Sequence, residues 1–167
     1  LYLVRHGETE ENAARILQGH MPGHLSASGV AQLRALRDEL LPVAFDTVVC
    51  SDLKRCVDSA RILTEGRALP VSYTSVLRER DWGSLAGKPI DSLQGGAPFP
   101  DDVESVDDML RRAAGFLDFM REHYAGRTVM VVSHGLFCRA IRSAYARVLM
   151  KDIDRMQNAT YRVLTLD

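Results

Sequence analysis

Leu1-Tyr2-Leu3-Val4 runs straight into Arg5-His6-Gly7-Glu8-Thr9, and Thr128-Val129-Met130-Val131-Val132 runs through Ser133 into His134-Gly135. Each stretch is a short apolar run leading to a histidine followed by glycine. Runs that are apolar throughout, rather than alternating, suit strands buried on both faces, and such strands belong to a parallel sheet covered by helices. In an open parallel sheet the carboxyl ends of neighbouring strands line one crevice, so both imidazoles can face the same ligand. Arg5, beside the first imidazole, points to an anion.

A third run of this kind, Thr47–Cys50, delivers Ser51-Asp52, with Arg55 one helical turn further on. Val71–Thr74 and the alternating Tyr161–Leu166 read as a fourth and a fifth strand. Helices fill the intervals. Ser26 or Ser28 caps one that carries Val30, Leu33, Leu36 and Leu40 and ends before Pro42. A second spans Leu53 to Leu63 and closes near Gly66. A third carries Val103, Val106, Leu110, Ala113, Leu117, Met120 and Tyr124 and stops at Gly126. A fourth follows His134-Gly135, with Ile141 and Tyr145 facing inward. Strand and helix alternating in this order specify an α/β fold: a three-layer α/β/α sandwich around a mostly parallel sheet, one domain over residues 1–167. Only residues 83–102 break the rhythm. With Gly87, Gly95, Gly96, Pro89, Pro98 and Pro100 they read as a lid-like loop with a short helix near Ile90–Leu93, and long loops in compact domains tend to choose substrates.

The 167 residues are 46% hydrophobic and 26% charged, with a net charge of -1, so no global field draws the chain to nucleic acid or to a membrane. Anion selectivity must come from a local cluster. Three of the 21 basic residues are lysines and the rest arginines, whose planar fork suits bidentate phosphate contacts. Cys50, Cys56 and Cys138 form no zinc-type pair and read as buried free thiols of a reducing cytosol. The reading is of a cytoplasmic protein: no apolar stretch reaches membrane-spanning length and no basic-then-apolar leader opens the chain.

In order along the chain, Leu3-Val4-Arg5-His6-Gly7-Glu8-Thr9, Asn12, Gln18-Gly19, Leu25-Ser26, Gly29, Ser51-Asp52-Leu53-Lys54-Arg55, Leu77-Arg78-Glu79-Arg80-Asp81-Trp82-Gly83, Val132-Ser133-His134-Gly135 and Asn158 resemble the motifs of the histidine phosphatase, or phosphoglycerate mutase-like, superfamily. The resemblance covers essentially the whole chain. It implies the phosphoglycerate mutase-like fold and a set of roles. His6 attacks phosphorus and becomes a phosphohistidine, while Arg5, Arg55 and His134 neutralise the phosphoryl oxygens. Glu79 protonates the leaving oxygen and then activates water. Asn12 and Gln18 contact the phosphate or the leaving group, and Gly19 and Gly135 line the substrate site. Glycine after each histidine would let backbone approach a ligand closely. Glu79 would have to begin protonated, through burial on the leaving-group side. No metal or other cofactor is implied.

Other residues have plainer readings. Asp81 lies two positions from Glu79, so geometry on an extended segment leaves the acid role open between them, and the family pattern favours Glu79. Glu8 either pairs with an arginine or caps a helix. His20 and His24 fall among glycine and proline and read as surface loop. His123 complements a helix C-terminus. Arg111-Arg112 resembles a second phosphate clamp, but on the long helix one of the pair belongs to the solvated face. Cys56-Val57-Asp58-Ser59-Ala60 stands where relatives often have Ala-x-Gln-Thr-Ala. Leu136 and Phe137 replace glycine or a polar residue and are expected to narrow the pocket.

These readings favour a metal-independent phosphomonoesterase, a hydrolase acting on a small phosphorylated metabolite. A sugar phosphate, a nucleotide, phosphoserine or α-ribazole phosphate would fit alike. A cofactor-dependent phosphoglycerate mutase is the alternative. It would need a cationic cap, whereas residues 83–102 offer Lys88 against Asp91, Asp101 and Asp102, a loop expected to admit water and to hold a second negative group poorly. A non-catalytic phosphate-binding module is disfavoured, because every chemical residue is retained.

Overall fold

The computed structural model describes residues 1–93, 96 and 98–166. Gly95 of the expected loop and Asp167 at the end of the expected domain lie outside these residues. Five strands form the sheet: β1 (Tyr2–Arg5), β2 (Thr47–Ser51), β3 (Val71–Thr74), β4 (Val129–Ser133) and β5 (Tyr161–Val163). Their order is β3-β2-β4-β1-β5, and β5 alone runs antiparallel. The helices are α1 (Glu10–Ala13), α2 (Ala27–Glu39), α3 (Lys54–Leu63), α4 (Val106–Tyr124) and α5 (Gly135–Ala146).

The apolar runs are continuous because the sheet buries both faces. Val4, Val48, Cys50, Met130 and Val132 meet Leu33 and Leu36 of α2 and Ala60 and Leu63 of α3. Leu3, Val49, Val129 and Val131 point the other way, into Met109, Phe116 and Leu117 of α4 and Ile141 of α5. Each large aliphatic side chain fully buried there stabilises the fold by about 1.5–3 kcal/mol.

Register aligns the site. In the β1–β4 ladder Arg5 stands opposite Ser133, and in the β2–β4 ladder Cys50 stands opposite Val132. His6, His134 and Ser51 therefore emerge together at the carboxyl ends of three adjacent strands. The turn after β1 is pressed onto α2. A Cβ on Gly29 would stand 2.0 Å from the Glu8 carbonyl oxygen, and one on Gly7 would stand 2.7 Å from Leu33 Cδ1. Gly7 thus makes room for a helix, not for a ligand. Ser26 caps α2 through the Gly29 N–H at 3.0 Å and donates its own hydroxyl to Glu8 Oε1 at 2.7 Å. Glu8 accordingly braces a helix cap.

Several elements differ from the sequence reading. Helix α4 starts at Val106, with Ser105 accepting from the Asp108 N–H, so Val103 is not on it. Val103 instead joins Leu17 and Trp82 in a separate small cluster. Val106 is exposed, and so is Tyr145, whose hydroxyl donates to the Thr165 carbonyl at 3.1 Å. Strand β5 stops at Val163, after which the Leu1 backbone nitrogen donates to the Leu164 carbonyl. Helix α1 was not foreseen, although Thr9 and Asn12 form a capping box, a pattern visible in Thr9-Glu10-Glu11-Asn12.

In the 83–102 segment, Gly83–Leu85 and Ile90–Leu93 form single 3-10 turns. The segment is tied to the loop after α1: Gly87 N–H donates to Leu17 O, Leu17 N–H to Lys88 O and Ile90 N–H to Arg15 O. Among the described residues no helix is long and apolar enough to cross a membrane. The three cysteines are free and buried.

Candidate active site

At the carboxyl ends of β1, β2 and β4 opens a cavity of about 420 Å³, lined by Arg5, His6, Asn12, Gln18, Gly19, Arg55, Glu79 and Gly135 among others. The residues foreseen from the sequence thus come together, with one difference in depth.

His6 is 3% exposed. Its Nδ1 lies 2.7 Å from the Gly7 carbonyl, which can only accept, so Nδ1 carries the proton and Nε2 keeps its lone pair. Burial holds the imidazole well below the usual histidine pKa, and the Arg55 and Arg5 charges push it the same way against the Gly7 hydrogen bond. The ring is therefore neutral at neutral pH. Two further contacts fix the turn: Gly7 N–H donates to Ser59 Oγ at 3.1 Å, and Asn158 Nδ2 donates to the His6 carbonyl at 3.2 Å. Ser59, in the stretch that departs from the family pattern, escaped the sequence reading.

His134 lies behind the cavity wall. Its ring centroid is 5.2 Å from that of His6, yet the residue has no exposed surface. Arg55 Nε donates to its Nδ1 at 3.1 Å, so the proton sits on Nε2, which donates to Ser51 Oγ at 2.8 Å. Both nitrogens are engaged, and contact with an anion requires one of those bonds to be exchanged. Burial lowers the pKa of His134 well below the usual value, with Arg55 and His6 adding to the effect. Ser51 and Cys56, whose Sγ is 3.4 Å from His134 Nε2, complete this buried cluster. Burial also pushes the Cys56 thiol far up, so it is no nucleophile.

Arg5 donates Nη1 to the Met156 carbonyl at 2.6 Å, while its buried Nε has no partner. An orphaned donor of this kind costs about 1–3 kcal/mol, which an anion accepting from it would recover. Gly135 permits the approach, since a Cβ there would stand 3.0 Å from the guanidinium. Asn12 Oδ1 accepts from Thr9 N–H and Asn158 Nδ2, each at 3.2 Å, which turns the amide NH₂ toward the cavity. Gln18 Nε2 donates to Thr9 Oγ1 at 2.8 Å and leaves Oε1 buried without a partner. A half-turn of that amide would let the Thr9 hydroxyl donate to Oε1 and present NH₂ to an anion.

Glu79 is half-buried at the N-terminus of α5. Oε1 accepts from Phe137 N–H at 2.9 Å and Arg80 N–H at 3.0 Å, and Oε2 accepts from Leu136 N–H at 3.1 Å. Three N–H donors hold it where a dry pocket was expected. Asp81 does not share the site. Its Oδ1 accepts from Gly83 N–H, and its Oδ2 faces His20 at 3.5 Å.

Residues near the site also separate. Leu136 lines the cavity, but Phe137 is fully buried under Arg112, whose guanidinium carbon lies 3.8 Å from the ring centroid. Arg112 pairs with Glu104 and donates to the carbonyls of Val76 and Arg78, so it braces the Glu79 segment and is no phosphate clamp. Arg111 is exposed and pairs with Asp108. His20 Nε2 donates to the Glu79 carbonyl at 3.0 Å and His24 pairs with Glu11, both in the loop. Lys88 stands outside the cavity, whereas Arg80, Arg139 and Arg155, none of them foreseen, line it. The described residues contain no group of three or more His, Cys, Asp and Glu that could hold a metal ion.

A neutral imidazole with a free Nε2, flanked by guanidinium groups and a carboxylate, defines a phosphoryl-transfer class of site. The histidine phosphatase superfamily (branch 1) matches residues 1–167, and the chain belongs to that family. It is 31% identical over 143 residues to the uncharacterised phosphatase PhoE of Bacillus subtilis, covering 83% of this chain and 73% of PhoE. It is 33% identical over 150 residues to the probable phosphoglycerate mutase GpmB of Yersinia pestis, covering 81% and 69%. A mycobacterial glucosyl-3-phosphoglycerate phosphatase, solved with VO3, superposes with a TM-score of 0.87 at 27% identity over 96% of this chain and 90% of that one.

Both buried histidines titrate below the unfolded value of about 6.5. The unfolded chain therefore binds protons first as the pH falls, and stability present above that value is lost below it. The melting temperature is expected to drop between pH 7.5 and pH 5, and His134→Asn is expected to flatten that drop. Parallel wild-type and variant profiles in scanning calorimetry would contradict this.

Proposed function

We propose that this protein is a metal-independent phosphomonoesterase that hydrolyses a small phosphorylated metabolite through a phosphohistidine on His6. The observation that carries the reading is the His6 ring, with Nδ1 tied to the Gly7 carbonyl and Nε2 left as a neutral nucleophile beside Arg5 and Arg55. The Nε2 lone pair attacks phosphorus, and the bond to the leaving oxygen breaks as Glu79 supplies a proton. Arg5 Nε, the remaining N–H groups of Arg55 and the amides of Asn12 and Gln18 take up charge on the equatorial oxygens. His134 orients Arg55, and by exchanging the Ser51 hydroxyl for a phosphoryl oxygen it adds a further donor. Glu79, now a carboxylate held by the α5 N–H groups, draws a proton from water. The water oxygen displaces Nε2 and releases inorganic phosphate. Residues 83–102 act as the lid-like loop over the leaving group, contributing Ile90 and Leu93 to the cavity wall. The whole chain works as one domain on a small diffusible substrate, in the cytoplasm, with neither nucleic acid nor membrane as partner.

The name of the Yersinia relative keeps the mutase reading as the alternative. The cavity, open enough to admit water, favours hydrolysis.

His6→Ala is expected to fold and to lose nearly all turnover, and wild type quenched in mid-turnover is expected to carry acid-labile, base-stable phosphate. A variant keeping a tenth of the rate would refute the covalent path.

Glu79→Gln is expected to slow alkyl phosphates far more than p-nitrophenyl phosphate, whose phenolate leaves without a proton. Equal slowing of phosphorylation in single-turnover assays would remove the acid role from Glu79.

Labelled 3-phosphoglycerate, with 2,3-bisphosphoglycerate present, is expected to release phosphate with negligible 2-phosphoglycerate. Isomer forming faster than phosphate in NMR spectra would favour the mutase.

A further inference from the structure

Arg78 stands one residue before Glu79, where the chain leaves the 3-10 turn Ser75–Leu77, and its backbone is extended, with φ -59° and ψ 158°. Side chains alternate across an extended stretch. Leu77 is fully buried in the core beside α4 and Glu79 reaches the cavity, while the Arg78 side chain runs to the end of β2. There Nε donates to Asp52 Oδ1 at 2.8 Å and Nη2 to Asp52 Oδ2 at 2.6 Å, two parallel bonds of one fork. Neither side chain lines the cavity, and neither has a part in the scheme above.

The end of β2 therefore holds two parts of the site. Ser51 accepts from His134 Nε2, and the next residue, Asp52, accepts from the arginine that precedes Glu79. The backbone of the Glu79 segment is held separately. Ser133 Oγ donates to the Leu77 carbonyl at 2.8 Å, and Arg112 Nη1 donates to the Val76 and Arg78 carbonyls at 2.7 and 2.8 Å. These bonds fix where the segment runs. A carbonyl oxygen accepts over a broad range of directions, so they constrain rotation about the segment's own axis weakly. That rotation decides where the Glu79 side chain points. A planar fork on the neighbouring side chain, directed away from the cavity, removes the freedom. An ordinary surface ion pair would contribute little. This one is bidentate, its side chains are only 35% and 32% exposed, and the guanidinium holds the Asp52 carboxyl below the usual carboxylate range, so the pair stays charged at neutral pH.

We propose that Asp52 and Arg78 are positioning residues whose fork sets the rotation of the Glu79 segment and so aims the Glu79 carboxyl at the leaving oxygen. The proposal rests on the phosphatase reading for the acid role of Glu79, and not for the hold on its carboxylate.

Two measurements separate these parts. The first reads the hold without turnover. The Leu136 and Phe137 N–H groups donate to Glu79, so their hydrogen exchange, followed by NMR, reports whether the carboxylate is in place. Asp52→Asn and Arg78→Lys are each expected to speed exchange at these two amides by about tenfold, the equivalent of one charge-assisted hydrogen bond, while the β4 amides keep their rates. The second reads the aim. In single-turnover phosphorylation both variants are expected to slow an alkyl phosphate by about tenfold and p-nitrophenyl phosphate by less than about twofold, since a misplaced acid matters only to a poor leaving group. The double variant Asp52→Asn/Arg78→Gln is expected to be no worse than either single change, because one interaction is lost once. Arg121→Gln, which removes an exposed ion pair with Asp118 on α4, is expected to change neither measurement. Arg78→Lys keeps the charge and loses the fork, so wild-type behaviour of that variant would overturn the proposal. Equal slowing of both esters, or faster exchange throughout β4 as well, would reduce the pair to a stabilising contact and overturn it too. Selective loosening of the two amides in a protein that releases phosphate from no ester refutes the phosphatase and keeps the fork as the hold on Glu79. Phosphate release with exchange and leaving-group dependence unchanged in both variants does the reverse.

Discussion

Arg55 is 1% exposed, and no carboxylate lies within ion-pair distance of it among the described residues. Burying an unpaired guanidinium is costly, by several kcal/mol even after relaxation. The cost is offset by the way the rest of the molecule converges on this group. Nε donates to His134, Nη1 to the Met21 carbonyl at 2.5 Å and Nη2 to the Gly19 carbonyl at 2.8 Å. One side chain on α3 thereby joins the end of β4 to the loop that carries Gln18 and Gly19. Burial lowers both histidine pKa values and the same charge adds to the effect, so a single buried cation organises the loop, sets the His134 tautomer and helps to keep His6 neutral.

A second brace works on the opposite wall. Glu79 belongs to an irregular segment between β3 and α4, with no helix or strand of its own to hold it. Two contacts replace that support: the N–H groups of Leu136 and Phe137 at the start of α5, and Arg112 on α4, which grips the carbonyls of Val76 and Arg78 while paired to Glu104. Glu104 in turn accepts from Asp81 N–H and, through its carbonyl, from Arg80. The positive end of α5 favours a carboxylate at this point.

The cavity combines two kinds of wall. Its inner end is built at strand termini, where backbone pairing fixes Arg5 and His6 and the start of α3 delivers Arg55. Its outer end is built by loops and by one face of α5. Those parts carry Leu136, Arg139 and Arg155 together with the first turns of the 83–102 segment, which hydrogen bonds to residues 15–17 hold in place. The inner wall thus rests on the rigid sheet and the outer wall on loops, the parts that vary most among proteins built on one scaffold.

The apolar runs of β1, β2 and β4 were legible in the chain because a strand buried on both faces must be apolar throughout, and the histidine that ends each of two runs announced the site. The ordered motifs pointed to Arg5, His6, Asn12, Gln18, Arg55, Glu79 and His134, and one cavity gathers all but His134 at its surface. The depth of His134 was not legible, because it depends on Ser51 arriving from β2 and Arg55 from α3. Nor was the choice between Glu79 and Asp81, which separate only because the segment turns between them and α5 supplies N–H groups to one. The bracing by Ser59 and Arg112 and the cationic wall of Arg139 and Arg155 left no local pattern, and Asn158, although part of the ordered motifs, gave no sign that it holds the His6 carbonyl. Periodicity and motif order are properties of neighbours along the chain. Which charges share a cavity is decided by strand order and loop closure, which bring together residues as far apart as Arg5 and Arg155.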